Sequence, residues 1–289
     1  MRVATVSDLH LDHAANRELM PALAAEVHRR GADLVVIAGD VSHRDAWIER
    51  AIRSFLVVAP EVAYLPGNHD LWQHPDALAR GADTWTRYRR DLRALTTELG
   101  ARYLPDAPWR RGPVAIVGTC GWYDYGFLDA AHRELMTDER RQTKRLDRFQ
   151  WSDARFVRFY GEDGRVMSDV EVLDVMIRDL ERQLLELQDD PEVERIMVAT
   201  HHLPFEELIF RTGTLPWEFF NAFMGSPRLG EVLLRYPKVT SVLYGHTHRG
   251  RSVSVAGRRV EGTPLGYPRE RPGLSTDEIV ASRIGWWEL

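Results

Sequence analysis

Residues 34–40 read LVVIAGD and residues 62–70 read VAYLPGNHD, two short apolar runs that each lead through a glycine into polar side chains. A continuous apolar run of about five residues bounded by turn residues is typical of a strand that is covered on both faces. Between the two runs, residues 45–56 carry apolar side chains at helical spacing, Ile48 and Ile52 among them. This alternation of buried strands with a helix predicts an α/β fold with largely parallel connections.

The same patterns recur outward along the chain. Six strands are predicted, at Val3–Ser7, Leu34–Ala38, Val62–Leu65, Val114–Thr119, Ile196–Thr200 and Val239–Tyr244. Helical spacing also predicts helices over 17–30 and 83–99, and Ser168 and Glu171 form a capping-box pattern at the start of another. Near the C-terminus, 252–261 is typical of a β-hairpin and 284–289 of a closing strand.

Residues 122–165 interrupt this rhythm, with nine aromatic side chains and no clear strand pattern. We interpret 122–190 as a cap-like insertion in a single domain, 1–289, whose core is 1–121 and 191–289. Candidate walls of a substrate pocket in this insertion are Trp122, Tyr123, Tyr125 and Trp151.

Composition limits the classes of function. The formal net charge of −5 disfavours a protein that tracks a nucleic-acid backbone, so nucleic acid is an unlikely partner. The single cysteine, Cys120, excludes an intramolecular disulfide framework. No apolar run approaches the roughly 18 residues of a membrane span, and charged residues come too early for a signal peptide. We therefore expect a cytoplasmic protein with no membrane partner.

Polar clusters directly follow five of the predicted strands. They are Asp8-Leu9-His10, Gly39-Asp40, Gly67-Asn68-His69-Asp70, His201-His202 and Gly245-His246-Thr247-His248. Because the carboxyl ends of parallel strands meet at one edge of a sheet, these side chains are expected to converge. Carboxylates, imidazoles and a carboxamide are ligands for divalent metals, and there are too many for one tetrahedral ion. Two ions that share a bridging carboxylate fit the count better, an arrangement used in phosphoryl chemistry.

The ordered set resembles the pattern of the calcineurin-like metallophosphoesterase superfamily, D-x-H, G-D, G-N-H-[DE], H and G-H-x-H, over residues 8–248. The resemblance implies a four-layer αββα sandwich of two mixed β-sheets, here with a helical and aromatic insertion. It also implies a dinuclear phosphoesterase in which a metal-bridging hydroxide attacks the phosphorus of a small phosphorylated substrate. A phosphodiester is the favoured substrate, while a phosphomonoesterase and a catalytically silent metal-binding scaffold stay open.

The resemblance also assigns roles to individual residues. One ion is assigned to Asp8, His10, Asp40 and His248, and the other to Asp40, Asn68, His201 and His246, with Asp40 bridging. His69 is assigned as the catalytic histidine that binds no metal, and Asp70 as the carboxylate that orients it. His201 is preferred to His202 as the ligand because it directly follows its strand. With no thiolate in the set, Mn, Fe, Zn and Mg are all compatible as the two divalent ions.

Overall fold

Two β-sheets form the centre of the molecule in the computed structural model, which describes all residues from Met1 to Leu289. The first sheet contains, in spatial order, β13 (Gly285–Glu288), β1 (Arg2–Val6), β2 (Leu34–Ala38), β3 (Glu61–Leu65) and β4 (Arg102–Tyr103). The second contains β11 (Ser252–Val255), β12 (Arg258–Gly262), β10 (Val239–Tyr244), β9 (Arg195–Thr200), β6 (Val114–Thr119) and β5 (Trp109–Arg111). A separate hairpin consists of β7 (Arg145–Leu146) and β8 (Phe149–Gln150).

The six predicted strands are all present, and their ends agree with the prediction to within one residue. Strands β1 to β4 run parallel, as do β6, β9, β10 and β12. The strands β13, β5 and β11 pair antiparallel at the sheet edges, so both sheets are mixed. The predicted C-terminal hairpin forms as β11 and β12, while the closing strand β13 joins the first sheet beside β1.

Alternation along the strands shows how the layers stack. In β2, Leu34, Val36 and Ala38 belong to a cluster of 13 buried residues drawn from both sheets. Val35 and Ile37 belong instead to the larger cluster of 66 residues that includes the helices. Because successive side chains of a strand point to opposite faces, one face of each sheet packs on the other sheet and one on helices. The four-layer αββα sandwich is therefore confirmed.

Twelve α-helices accompany the sheets. They are α1 (Ala14–Arg30), α2 (Asp45–Leu56), α3 (Asn68–Leu71), α4 (Pro75–Ala79), α5 (Thr84–Thr86), α6 (Leu92–Glu98), α7 (Asp138–Thr143), α8 (Asp153–Phe156), α9 (Asp169–Asp189), α10 (Trp217–Asn221), α11 (Pro227–Leu234) and α12 (Thr276–Arg283). The helix predicted over 83–99 is divided, because a π-turn at Arg87–Asp91 separates α5 from α6. None of these helices combines the length and the apolar composition that a membrane-spanning segment requires.

The segment 122–168 is less regular than the sandwich, but it does contain the hairpin β7–β8, which the sequence did not predict. The capping box forms as expected, with Ser168 Oγ accepting from the Glu171 amide and Glu171 accepting from the Ser168 amide. The helix α9 that it starts contacts β6, and its apolar face joins the main core. Thus α9 covers the second sheet, and the interpretation of all of 122–190 as one insertion stays a prediction.

Candidate metal centre

The loops after β1, β2 and β10 have an unusual backbone. Five of the predicted ligands have positive φ angles, which are uncommon for residues with a Cβ: Asp8, His10, Asp40, His246 and His248. Left-handed residues of this kind cost free energy and concentrate at functional sites. Gly39, with φ of +82°, lies against Gly67, and a Cβ at either glycine would collide with the opposite loop. The two loops can therefore approach closely enough to bring their side chains together.

Four side chains form what we call the outer cluster: Asp8, His10, Asp40 and His248. One potential ligand atom from each lies within 4.8 Å of those of the others. The Nε2 atoms of His10 and His248 are 2.8 Å apart, and His248 Nε2 is 3.6 Å from Asp8 Oδ1. His248 Nδ1–H donates to Glu270 Oε2 at 2.9 Å, so its Nε2 faces the cluster.

The inner cluster consists of Asp40, Asn68, His201 and His246, all of them buried. His201 Nε2 lies 3.3 Å from Asp40 Oδ1 and 3.3 Å from Asn68 Oδ1. Asn68 Oδ1 is also 3.1 Å from His246 Nδ1. Asp40 thus belongs to both clusters, through Oδ1 on the inner side and through Oδ2, 3.8 Å from His10 Nε2, on the outer side.

Backbone carbonyl groups set the orientation of the two inner histidines. His201 Nδ1–H donates to the carbonyl oxygen of Ala38 at 3.0 Å, and His246 Nε2–H donates to that of Phe223 at 3.2 Å. The remaining nitrogens, His201 Nε2 and His246 Nδ1, therefore face each other across 3.3 Å. In metal-binding histidines, the ring nitrogen that does not bind the metal typically donates a hydrogen bond of this kind.

The two clusters fit divalent cations. His201 Nε2 and His246 Nδ1 are 3.3 Å apart, and the oxygens of Asp40 and Asn68 lie beside them, so four donor atoms face one point, as in a metal site. The buried atom Asp8 Oδ2 has no hydrogen-bond partner, which is costly for a carboxylate oxygen unless a cation binds it. Nitrogen and oxygen donors without a thiolate suit Mn, Fe, Zn or Mg.

Burial and mutual charge set the protonation of these groups without metal. Burial alone would raise the pKa of Asp40, but the charges of His201 and His69 outweigh it and hold that pKa well below its ordinary value. Burial opposes protonation of His201, yet the Asp40 carboxylate dominates and raises the pKa of His201 to about 9. For His10 and His246, burial lowers the pKa well below its usual range, so both imidazoles are neutral.

His69 lies beside the clusters with its ring facing a cavity. Its Nε2 is 3.8 Å from Asp40 Oδ2, and its side chain keeps 17% of its surface exposed. The indole of Trp72 stacks on the imidazole with ring centroids 3.6 Å apart. His69 is thus partly exposed to the cavity, and its assignment as the catalytic histidine stays a prediction.

The carboxylate of Asp70 is bound by backbone amides, and its role as the group that orients His69 stays a prediction. Its Oδ1 accepts from the backbone amides of Val41 and Ser42, and its Oδ2 accepts from that of Gly67, each at 2.8 Å. None of its hydrogen bonds goes to the His69 ring. Asp70 therefore ties together the loops after β2 and β3, while the indole of Trp72 stacks on the ring of His69.

His202 is the neighbour of His201 that was not preferred as a metal ligand. Its Nδ1 contacts the carbonyl oxygen of Cys120 at 3.1 Å, and its Nε2 has no hydrogen-bond partner. Its ring packs on His246 at 4.3 Å between centroids. Burial, together with the charge of His201, lowers the pKa of His202 to about 3, so it is a neutral ring beside the inner cluster. The preference for His201 as ligand agrees with this placement and stays a prediction.

A cavity of about 560 Å³ opens next to His69 and the outer cluster. Its lining residues are His10, Asp12, His13, His43, His69, Trp72, Tyr267, Pro268 and Arg269. None of the four aromatic residues predicted as pocket walls is among them, because Trp122 and Tyr123 are fully buried and Tyr125 and Trp151 lie elsewhere. The walls come instead from the loops after β1, β2 and β3 and from the turn at 267–269.

Sequence reasoning also missed two acidic residues that contact predicted ligands. Glu270 accepts from His248, and the fully buried Asp153 accepts from Asn68 Nδ2 at 2.9 Å. Both lie more than 20 residues from the ligand that they contact, and neither belongs to a motif. No local signal in the sequence marks them.

Comparison with known proteins agrees with this geometry. The family model described as calcineurin-like phosphoesterase matches residues 1–250. The chain belongs to the calcineurin-like phosphoesterase family and is a metal-dependent phosphoric ester hydrolase.

One curated relative is the [acyl-carrier-protein] phosphodiesterase PptH of Mycobacterium tuberculosis, which is 26% identical over 280 residues, covering 92% of this chain and 78% of the relative. The crystal structure of the phosphopantetheinyl hydrolase PptH from the same organism superposes with a TM-score of 0.70 at 20% identity, covering 95% of this chain and 93% of that one. A dimetal phosphatase from Danio rerio has a TM-score of 0.44 at 13% identity, with 91% and 86% of the two chains covered.

Proposed function

We propose that this phosphoesterase uses two divalent ions, one in the outer and one in the inner cluster, to hydrolyse a phosphodiester. The observation that carries the proposal is the pair of ligand sets that share Asp40. Two ions bound there would make a nucleophilic water available near neutral pH and would stabilise negative charge on the phosphoryl oxygens.

His69 is the proposed proton donor to the leaving oxygen. Burial lowers the pKa of His69, the Asp40 carboxylate opposes that shift, and the stacked Trp72 fixes the plane of the ring. A group placed in this way typically contributes about 10²–10⁴-fold to the rate. The side chain faces the cavity, where a leaving group would lie beside it.

For the substrate, we propose the phosphodiester that joins phosphopantetheine to an acyl carrier protein. Similarity to PptH over 92% of the chain supports this choice, since that protein is named as an acyl-carrier-protein phosphodiesterase. The cavity also suits it, because Trp72, Tyr267 and Pro268 offer apolar surface for an uncharged arm. Arg269 adds a cation at the same wall.

The test combines metal analysis with a substrate series. Purified protein is analysed for Mn, Fe, Zn and Mg, and then assayed with holo-acyl carrier protein by intact mass, with bis-p-nitrophenyl phosphate and with p-nitrophenyl phosphate. We expect about two ions per chain and release of phosphopantetheine that His69→Ala slows by about 10²–10⁴-fold. His74→Ala, an exposed histidine outside the cavity, is the matched control and should leave the rate unchanged.

Each alternative has a distinct outcome. Turnover of bis-p-nitrophenyl phosphate without release of phosphopantetheine would keep the diesterase and overturn the carrier-protein substrate. Preference for p-nitrophenyl phosphate would indicate a phosphomonoesterase. Metal binding without turnover of any of the three substrates would favour a silent scaffold.

A further inference from the structure

A buried carboxylate in the segment 122–168 contacts the loop after β3. Asp153 is fully buried, and four neutral groups donate to it. Its Oδ1 accepts from Asn68 Nδ2 at 2.9 Å and from Trp72 Nε1 at 2.7 Å. Its Oδ2 accepts from Trp151 Nε1 at 2.8 Å and from the Tyr123 hydroxyl at 3.1 Å. Both oxygens are thus satisfied without a cation.

The first consequence concerns the Asn68 side chain. A carboxamide can present either its oxygen or its NH₂ group to a neighbour, and only the oxygen binds a metal. Because Asn68 Nδ2 is bonded to Asp153, Oδ1 must face the opposite way, toward His201 Nε2 and His246 Nδ1. Asp153 therefore selects the orientation in which Asn68 belongs to the inner cluster.

The second consequence concerns His69. The indole N–H that shares Asp153 Oδ1 belongs to Trp72, the ring that stacks on His69. The second indole contact lies on the other side, where Trp151, bonded to Oδ2, packs against His246 with centroids 5.6 Å apart. The Asp153 carboxylate thus binds the predicted ligand Asn68 and two indoles, one packed on His69 and the other on His246.

We propose that Asp153 is a positioning residue of the inner cluster: it fixes the Asn68 amide for metal binding and holds Trp72 against His69. The inference rests on the proposed two-ion function. In this proposal, the aromatic segment 122–168 positions residues of the metal site, whereas its composition had suggested that it lines the substrate pocket.

The same segment offers a matched control. Asp169 is also largely buried, with 11% of its side chain exposed, and it accepts from Trp122 Nε1, the Tyr125 hydroxyl and Lys144 Nζ. It has no hydrogen bond to a residue of either cluster. A general structural role of buried acids in this segment would therefore affect both positions alike, whereas positioning of Asn68 concerns Asp153 alone.

The experiment measures metal binding rather than activity. Protein stripped with EDTA is titrated with Mn²⁺ by calorimetry, for wild type, Asp153→Asn, Asp169→Asn, Asn68→Ala and the double variant Asn68→Ala/Asp153→Asn. Loss of a residue that orients a ligand typically costs 10- to 100-fold in metal affinity. We expect that loss for one of two ions in Asp153→Asn, no change in affinity in Asp169→Asn, and almost no further loss in the double variant relative to Asn68→Ala.

Unchanged affinities in Asp153→Asn, or additive losses in the double variant, would overturn the inference while the two-ion function stands. A wild type that binds a single ion would overturn both.

Asn68→Asp keeps the test decisive where Asp153→Asn does not fold. A carboxylate at position 68 is the better ligand by charge, but it would lose the donor that faces Asp153. We expect weaker Mn²⁺ binding, and tighter binding would contradict the inference.

Discussion

The inner and outer clusters share Asp40 but differ in how the protein holds their other ligands. In the inner cluster, His201, His246 and Asn68 each have a second hydrogen bond to a buried group, two to backbone carbonyls and one to Asp153. In the outer cluster, His248 is held by Glu270, whose side chain is 37% exposed, and Asp8 Oδ2 has no partner at all. The inner cluster is thus preorganised by the core, whereas the outer one lies at the cavity wall.

In the proposed two-ion site, this difference would separate two tasks. Ligands fixed by buried hydrogen bonds keep their geometry without an ion, so the inner position is expected to bind metal more tightly. The outer position adjoins the cavity through His10, where a substrate would arrive. We therefore expect an inner ion that is retained and an outer ion that exchanges more readily.

The largest expected effect comes from the residue that both clusters share. Asp40→Ala removes a ligand from each cluster and leaves the buried His201 without its counter-charge. We expect loss of both ions and a fall in phosphodiesterase activity of more than about 10³-fold, because the bound metal would supply the nucleophile in the proposed mechanism. Metal content and turnover of bis-p-nitrophenyl phosphate measure it, with Asp76→Ala, an exposed acid, as the control. Retention of one tightly bound ion would show that the inner cluster does not need Asp40.

The strand-end motifs made the convergence of both clusters predictable. Asp8, Asp40, Asn68, His201 and His246 all follow parallel strands, and parallel strands end at one edge of a sheet. The glycine at 39 was a usable signal too, because its positive φ and its approach to the next loop leave no room for a Cβ. The bounds of the strands were predictable because continuous apolar runs mark strands that are buried on both faces.

The supports of the clusters were not predictable. Asp153 lies 85 residues from Asn68, and Glu270 lies 22 residues from His248, so tertiary packing alone brings them together. The hydrogen-bond partners of Asp70 were not predictable for a similar reason. Its neighbour in sequence is His69, but helix α3 turns its carboxylate toward the amides of Val41 and Ser42. The four candidate wall residues Trp122, Tyr123, Tyr125 and Trp151 do not line this cavity, because composition shows that a ring is present but not which way it faces.

A second prediction tests the inner cluster by its pH dependence. The pKa of His201 is about 9, because the Asp40 carboxylate outweighs the effect of burial. A proton must therefore leave His201 when a metal binds below pH 9, and the apparent affinity of the inner ion should fall about tenfold for each pH unit below that value. His10 and His246 are already neutral in this range and add nothing to the slope.

Titration of the metal-free protein with Mn²⁺ at pH 7, 8 and 9, in two buffers of different ionisation enthalpy, measures both the slope and the proton released. We expect release of one proton with the inner ion at pH 7 and almost none above pH 9. If the affinity for the inner ion stays constant from pH 7 to 9, His201 is neutral before the metal binds. The raised pKa of His201 beside the Asp40 carboxylate would then be wrong.

The smallest expected effect concerns the outer cluster alone. Glu270→Gln keeps the shape of the side chain and an oxygen for the Nδ1–H of His248, but it removes the negative charge that strengthens this bond. We expect the outer ion to bind about tenfold more weakly while the inner ion is unaffected, since Glu270 has no hydrogen bond to an inner ligand. Glu98→Gln, an exposed glutamate at the end of α6 and far from both clusters in sequence, is the control. Equal weakening of both ions would show that the shared Asp40 couples the two positions so strongly that they cannot be treated as a preorganised and an exchangeable site.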